Sequence, residues 1–149
     1  MKRFLRVLMP ILVFLVMIFI LSNSLSNGTQ ASTKRDFVVK IVTGEKNYQK
    51  ISIPVVAKIF HMMEYAAFSA CLTGAVLLLG DLKNSRFERI LLCGIILALS
   101  DELIQSLFSG RGSKLTDVLV DIAGIMIGYV VAMLISYLIK KRNEKKKGT

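Results

Sequence analysis

Cysteine and histidine are almost absent from this chain: Cys71, Cys93 and His61 are all it has in 149 residues. They form no Cys-x-x-Cys pair and no Cys/His ligand set, so the sequence offers neither a metal framework nor a disulfide framework. No metal site and no cofactor are expected. Both cysteines fall inside apolar blocks and read as small helix-packing residues. Proline occurs twice, and Pro54 is expected to set a turn just ahead of a helix. No internal repeat and no known nucleophile motif is evident, and Ser106 and Ser109 stand in no catalytic context. Carboxylates are few as well, ten against twenty Lys and Arg, for a formal net charge of +10.

An excess of positive charge often marks a nucleic-acid binder, but its distribution here speaks against one. Lys2, Arg3 and Arg6 precede or open the first apolar block, while Lys140, Lys141, Arg142, Lys145, Lys146 and Lys147 follow the last. Basic residues placed against the ends of apolar blocks are orientation signals and contacts for anionic lipid. The chain is 54% hydrophobic, and those residues come in blocks near the roughly 20 residues that a membrane span requires. Lipid supplies no hydrogen-bonding water to the backbone, so the architecture to expect is helical.

The expected fold is therefore all-α: one integral membrane domain over 1–149, a bundle of four transmembrane helices. The helices are expected at about 4–21, 57–79, 87–108 and 116–139, with an outer segment at 22–56 and a basic tail at 140–149. The first block also has the shape of a secretory signal peptide. Its polar tail, Ser22-Asn23-Ser24, lacks an Ala-x-Ala cleavage site and the apolar run is long for a signal core, so a retained helix is preferred. The basic termini and the loop carrying Lys83, Arg86 and Arg89 place both ends of the chain in the cytoplasm. The segment 22–56 and the hairpin 109–115 then lie outside. "DFVVKIVTGEKNYQKISIPVV" mixes apolar and basic residues and is expected to rest partly on the membrane surface.

Against this apolar background the ionisable residues stand out. Lys58, His61 and Glu64 recur at three-residue steps and share a face of the second helix, continued by Tyr65. Asp101 and Gln105 share a face of the third, with Glu102 one position round, and Asp117, Asp121, Gly124 and Gly128 run down one stripe of the fourth. At 1.5 Å per residue, Glu64, Asp101 and Asp121 each fall roughly 8–11 Å inside the outer ends of their expected helices. Helices that alternate in direction thus bring carboxylates to one level.

A charge at the centre of a span costs about 2.5–3.5 kcal/mol, whereas a leucine returns only about 0.3–0.6 kcal/mol. These carboxylates are therefore expected to face the bundle interior, a water-filled funnel or one another. Asp117 begins a helix and is also explained as a cap, but Asp121 is a turn too deep for that. Gly124 and Gly128 form a Gly-x-x-x-Gly step that reads as close packing of the fourth helix on a neighbour. Gly110-Arg111-Gly112 makes the outer hairpin flexible enough to turn Arg111 over the cluster, where a guanidinium holds a carboxylate bidentately.

These pieces together resemble the VanZ-like family of bacterial membrane proteins: "KIFHMMEY" at 58–65, "DELIQ" at 101–105, "GR" at 110–111 and the Asp117–Asp121–Gly124–Gly128 stripe. The hairpin departs from the family pattern, with Ser109 where proline is common and Gly112-Ser113 in reversed order. The resemblance implies a multi-pass protein of the bacterial cytoplasmic membrane, in a family whose founding member is associated with resistance to the glycopeptide teicoplanin.

Three functions fit the residues. The first is a non-enzymatic factor that binds an amphipathic ligand, a lipid-linked cell-wall precursor or a lipoglycopeptide, with contributions to glycopeptide resistance. Its ligand-binding residues would be Lys58, His61, Glu64, Tyr65, Asp101, Glu102, Gln105, Arg111, Asp117 and Asp121. The second is an enzyme acting on a lipid head group, with His61 and Glu64 as base and orienter, or with His61, Glu64, Asp101 and Asp121 around a divalent metal. The third is a small proton-coupled exporter using Glu64 or Asp101. Membrane lipids are the expected partners, nucleic acid is not, and the pattern is compatible with a homo-oligomer.

Overall fold

The computed structural model describes residues 2–25, 53–79, 86–107 and 115–146, together with Thr33, Phe37 and Lys40. Four helices account for nearly all of these: α1 (Lys2–Ser24), α2 (Ile53–Leu79), α3 (Arg86–Ser106) and α4 (Leu115–Lys145). No strand occurs among the described residues. Thr33, Phe37 and Lys40 are helical and exposed. The all-α reading holds, and α1, α2 and α4 are long and apolar enough to cross a membrane. The fourth, α3, is a borderline span. Its apolar run from Ile90 to Leu99 is flanked by Glu88 and Arg89 on one side and by Asp101 and Glu102 on the other.

Two helix ends differ from expectation. The second helix starts at Ile53, not Ala57. Pro54 therefore sits in its first turn, where a missing N–H costs no hydrogen bond, instead of turning the chain ahead of it. Glu64 consequently lies about 16 Å from the helix end, deeper along its own helix than expected. The last helix runs on past Ile139 to Lys145 and spans 31 residues, about 46 Å against a hydrocarbon core near 30 Å. Its basic end therefore projects beyond the lipid.

The directions of the helices follow from their contacts. Arg6 Nε donates to the Leu78 carbonyl at 3.0 Å and Asn23 Nδ2 to Glu64 Oε1 at 2.7 Å, so α1 and α2 run antiparallel. Arg6, the one charge inside the first apolar block, thereby caps a carbonyl that the end of α2 leaves open. Lys58 meets Asp117 and Ser69 Oγ donates to the Ile125 carbonyl, so α2 and α4 run parallel. Phe87 meets Tyr129 edge-on with centroids 5.0 Å apart and Gly94 lies against Ile125, so α3 is antiparallel to α4.

The most extensive packing is between α2 and α4, and glycine makes it possible. A Cβ at Gly124 would overlap the carbonyl of Met62, and one at Gly128 that of Ala66. Lipid tails are as apolar as leucine, so helices in a bilayer gain by close contact rather than by escape from water, and small residues permit it. The compact core consists of Ile20, Tyr65, Phe68, Ile90, Leu97, Ala98, Val118 and Ile125. Outward-facing side chains are apolar almost throughout, Phe14 and Phe19 of α1 and Val130, Leu134 and Leu138 of α4 among them. A surface of that kind suits lipid, not water.

Candidate functional site

Most of the described basic residues lie at one end of the bundle, beside Glu88 and Glu144, and five carboxylates gather at the other, beside Lys58. Arg3, Arg6, Arg89, Lys140, Lys141, Arg142 and Lys145 belong to one end. At the other, the last turn of α1, the N-terminal half of α2, the C-terminal turns of α3 and the first turns of α4 bring Glu64, Asp101, Glu102, Asp117 and Asp121 together. Asp101, Glu102, Asp117 and Glu64 all lie within electrostatic range of Asp121. Carboxylates from three helices meet at this end as expected, but not at one level, since Glu64 lies deeper along α2 than the spacing placed it.

The cluster is graded in depth. At the mouth, Lys58 Nζ sits 2.9 Å from Asp117 Oδ1, with side chains 43% and 28% exposed. Thr116 Oγ1 supports the pair, 3.3 Å from Asp117 Oδ1. A pair so open to solvent stabilises by less than about 1 kcal/mol, so its role is better sought in shaping the entrance. One turn further in, His61 Nδ1 is 3.9 Å from both Glu64 Oε2 and Asp101 Oδ2, and these three side chains are 27%, 16% and 1% exposed. At the base Asp101, Glu102, Gln105, Asp121 and Tyr65 are all buried. Gln105 Nε2 donates to Asp101 Oδ2 at 2.9 Å, the i, i+4 contact expected on α3. Neither carboxylate oxygen of Asp121 and not the Tyr65 hydroxyl finds a hydrogen-bond partner among the described residues.

Burial of polar groups without partners costs several kcal/mol in an apolar medium. Hence the base of this site is a place where hydrogen-bonding capacity is held in reserve. The His61 distances of 3.9 Å are too long for the hydrogen bonds that join a catalytic base to its orienter. No group of three or more His, Cys, Asp or Glu side chains among the described residues is arranged to hold a metal ion.

Of the residues expected in the site, Lys58, His61, Glu64, Tyr65, Asp101, Glu102, Gln105, Asp117 and Asp121 fall in or beside this cluster. Arg111 lies outside the described residues. Two further residues had not been anticipated. Asn23 reaches Glu64, and the buried Ser24 donates from Oγ to the Asp101 carbonyl at 2.9 Å. The available signal was the polar tail Ser22-Asn23-Ser24 on an otherwise apolar block, which as a cleavage region would have been removed from the site. Ser106, by contrast, turns its hydroxyl back on the Leu103 carbonyl of its own helix, and Cys71 and Cys93 are free thiols.

A protein-family model described as VanZ/LLP1 matches residues 7–136. The match takes in parts of all four helices, from the second turn of α1 to Ser136 of α4, short of its basic end. No curated protein sequence and no solved structure matches the chain.

Proposed function

The chain belongs to the VanZ/LLP1 family, and from that premise we propose that it is a membrane factor that binds the head group of an amphipathic envelope ligand at its carboxylate-lined end. The observation that carries this reading is the graded cluster. Partly exposed Lys58 and Asp117 stand at the mouth, His61 and Glu64 lie below them, and Asp101, Glu102 and Asp121 are buried at the base. Ionisable side chains within a membrane domain are expensive and mark functional sites by default. A ligand rich in hydrogen-bond donors would repay their burial, with its tail in the lipid beside the helices and its head in the cluster.

The site belongs in the outer leaflet under this reading, because the basic ends of α1 and α4 and Arg89 of α3 lie at the opposite end and favour the cytoplasm. That orientation puts the cluster where a lipid-linked cell-wall precursor or a lipoglycopeptide presents its polar part. Binding of either would connect the chain to glycopeptide resistance, the property associated with the founding member of the family it resembles.

Native mass spectrometry of the protein released from bacterial membranes in mild detergent tests the proposal. One envelope lipid species should stay bound in stoichiometric amount, and the double variant Asp101→Asn, Glu102→Gln should lose it. A spectrum of unselective bulk lipids, alike in both proteins, would sink the reading.

A further inference from the structure

Among the buried oxygen atoms at the base of the site for which no described residue supplies a partner are both carboxylate oxygens of Asp121 and the hydroxyl of Tyr65. They come from different helices, α4 and α2, which the contact of Gly124 with Met62 holds at backbone distance one turn below Asp121. A helical side chain slants toward the N-terminus of its helix. For α2 that is the mouth end, so Tyr65, fully buried, rises from beneath toward the carboxylates. Asp101, Asp121, Glu64 and Glu102 are all within electrostatic range of it. The Lys58 ammonium is engaged by Asp117 at the mouth, and His61 stands between Glu64 and Asp101. Neither is described as a hydrogen-bond partner of Asp121.

The kind of these atoms selects a partner chemistry: buried carboxylate oxygens call for a charged donor. A primary ammonium has three N–H donors, no acceptor and a positive charge. A sugar hydroxyl offers one donor and no charge, and a trimethylammonium offers a charge but no donor. Charge-assisted hydrogen bonds to a carboxylate are roughly twice as strong as neutral ones, and more so in a water-poor site.

We propose that the base of the site receives a primary ammonium group carried by an amphipathic ligand, its N–H groups donating to the Asp121 carboxylate and to the Tyr65 hydroxyl oxygen. This rests on the head-group-binding reading above and narrows it to one chemical class. The ligand enters past Lys58, His61 and Glu64, and its acyl chains stay in the surrounding lipid. The same ammonium can arrive on a phospholipid or on a lipoglycopeptide.

The test compares retention by native mass spectrometry of phosphatidylethanolamine, its N-acetylated form, phosphatidylcholine and diacylglycerol, all with the same acyl chains. A parallel arm uses an amine-bearing lipoglycopeptide and its N-acetylated form, and so separates the two sources. Wild-type protein should retain a free amine at least about tenfold over its acetylated counterpart in one arm, a difference of about 1.4 kcal/mol. That preference should shrink to within about twofold in Asp121→Asn and to about threefold in Tyr65→Phe, where the charged partner remains. The head-group comparison on wild-type protein needs no variant, so a poorly folding substitution leaves the test intact. Equal retention of free and acetylated forms, both above diacylglycerol, overturns the ammonium proposal while head-group binding stands. Retention no better than diacylglycerol by every probe overturns both. A preference that survives in Asp121→Asn also overturns the proposal, because the amine then binds elsewhere.

Discussion

Substitution of Gly128 by alanine probes the contact on which the whole arrangement depends. The added Cβ would overlap the Ala66 carbonyl oxygen and lie 2.8 Å from its carbon and 2.9 Å from Cα. Those are backbone atoms of α2 and cannot swing aside. Carbon atoms pack best about 3.5–4.0 Å apart and the overlap with the carbonyl oxygen is tighter still, so the two helices must part by roughly 1 Å, which forfeits up to about half of the dispersion energy along that seam. Overpacking of this kind costs about 1–3 kcal/mol, and alanine's better helix preference returns at most about 1 kcal/mol. A net loss of about 1–2 kcal/mol follows. Gly74 provides the internal control. A Cβ there meets only Met9 Sδ at 3.5 Å and Cε at 3.7 Å, both on a flexible side chain in ordinary contact, so Gly74→Ala should be neutral or stabilising by up to about 1 kcal/mol. Reversible unfolding of both variants in mixed micelles, titrated with a denaturing detergent, measures the difference. If Gly128→Ala proves as stable as Gly74→Ala, the helices are not held at backbone contact and the account of α2–α4 packing is wrong.

The mouth pair should be weak: the double-mutant cycle of Lys58→Met with Asp117→Asn should show a coupling below about 1 kcal/mol that fades further in high salt. A coupling of several kcal/mol would mean the pair is far drier than its exposure indicates. Ser69→Ala removes the buried donor to the Ile125 carbonyl and should cost about 0.6 kcal/mol, with about 1.7 kcal/mol as the ceiling for one interhelical hydrogen bond in a membrane. No change in the same unfolding assay would show that the carbonyl finds another donor. For orientation, a cysteine replacing Ser113 in a Cys71→Ala, Cys93→Ala background should react with impermeant reagents on intact cells, and one replacing Ser85 only after the membrane is opened. The reverse pattern would move the site to the cytoplasmic leaflet.

Local chemistry along the chain was enough to place the four long helices of the described residues and to read the fold as all-α, because a run of apolar side chains must satisfy its backbone within itself once it is in lipid. It was also enough to bring Glu64, Asp101 and Asp121 to the same end of the bundle, since the rise per residue of a helix is fixed, though not to give the depth of Glu64, and to read Gly124 and Gly128 as a packing face. The pattern around "KIFHMMEY" and "DELIQ" sufficed for the family. Where a helix stops was less legible: Ile53–Val56 extend α2 and the basic residues up to Lys145 extend α4, since a helix can outrun the apolar stretch that first marks it. Partners were decided by the tertiary structure alone. Lys58 meets Asp117, Asn23 and Ser24 close the site from α1, and Asp121 and Tyr65 are left with oxygen atoms that no described residue serves. Spacing along one helix fixes height and face on that helix only. Which side chain a face meets depends on how neighbouring helices are rotated and how closely they approach, and here that approach was set by two glycines against the backbone of α2.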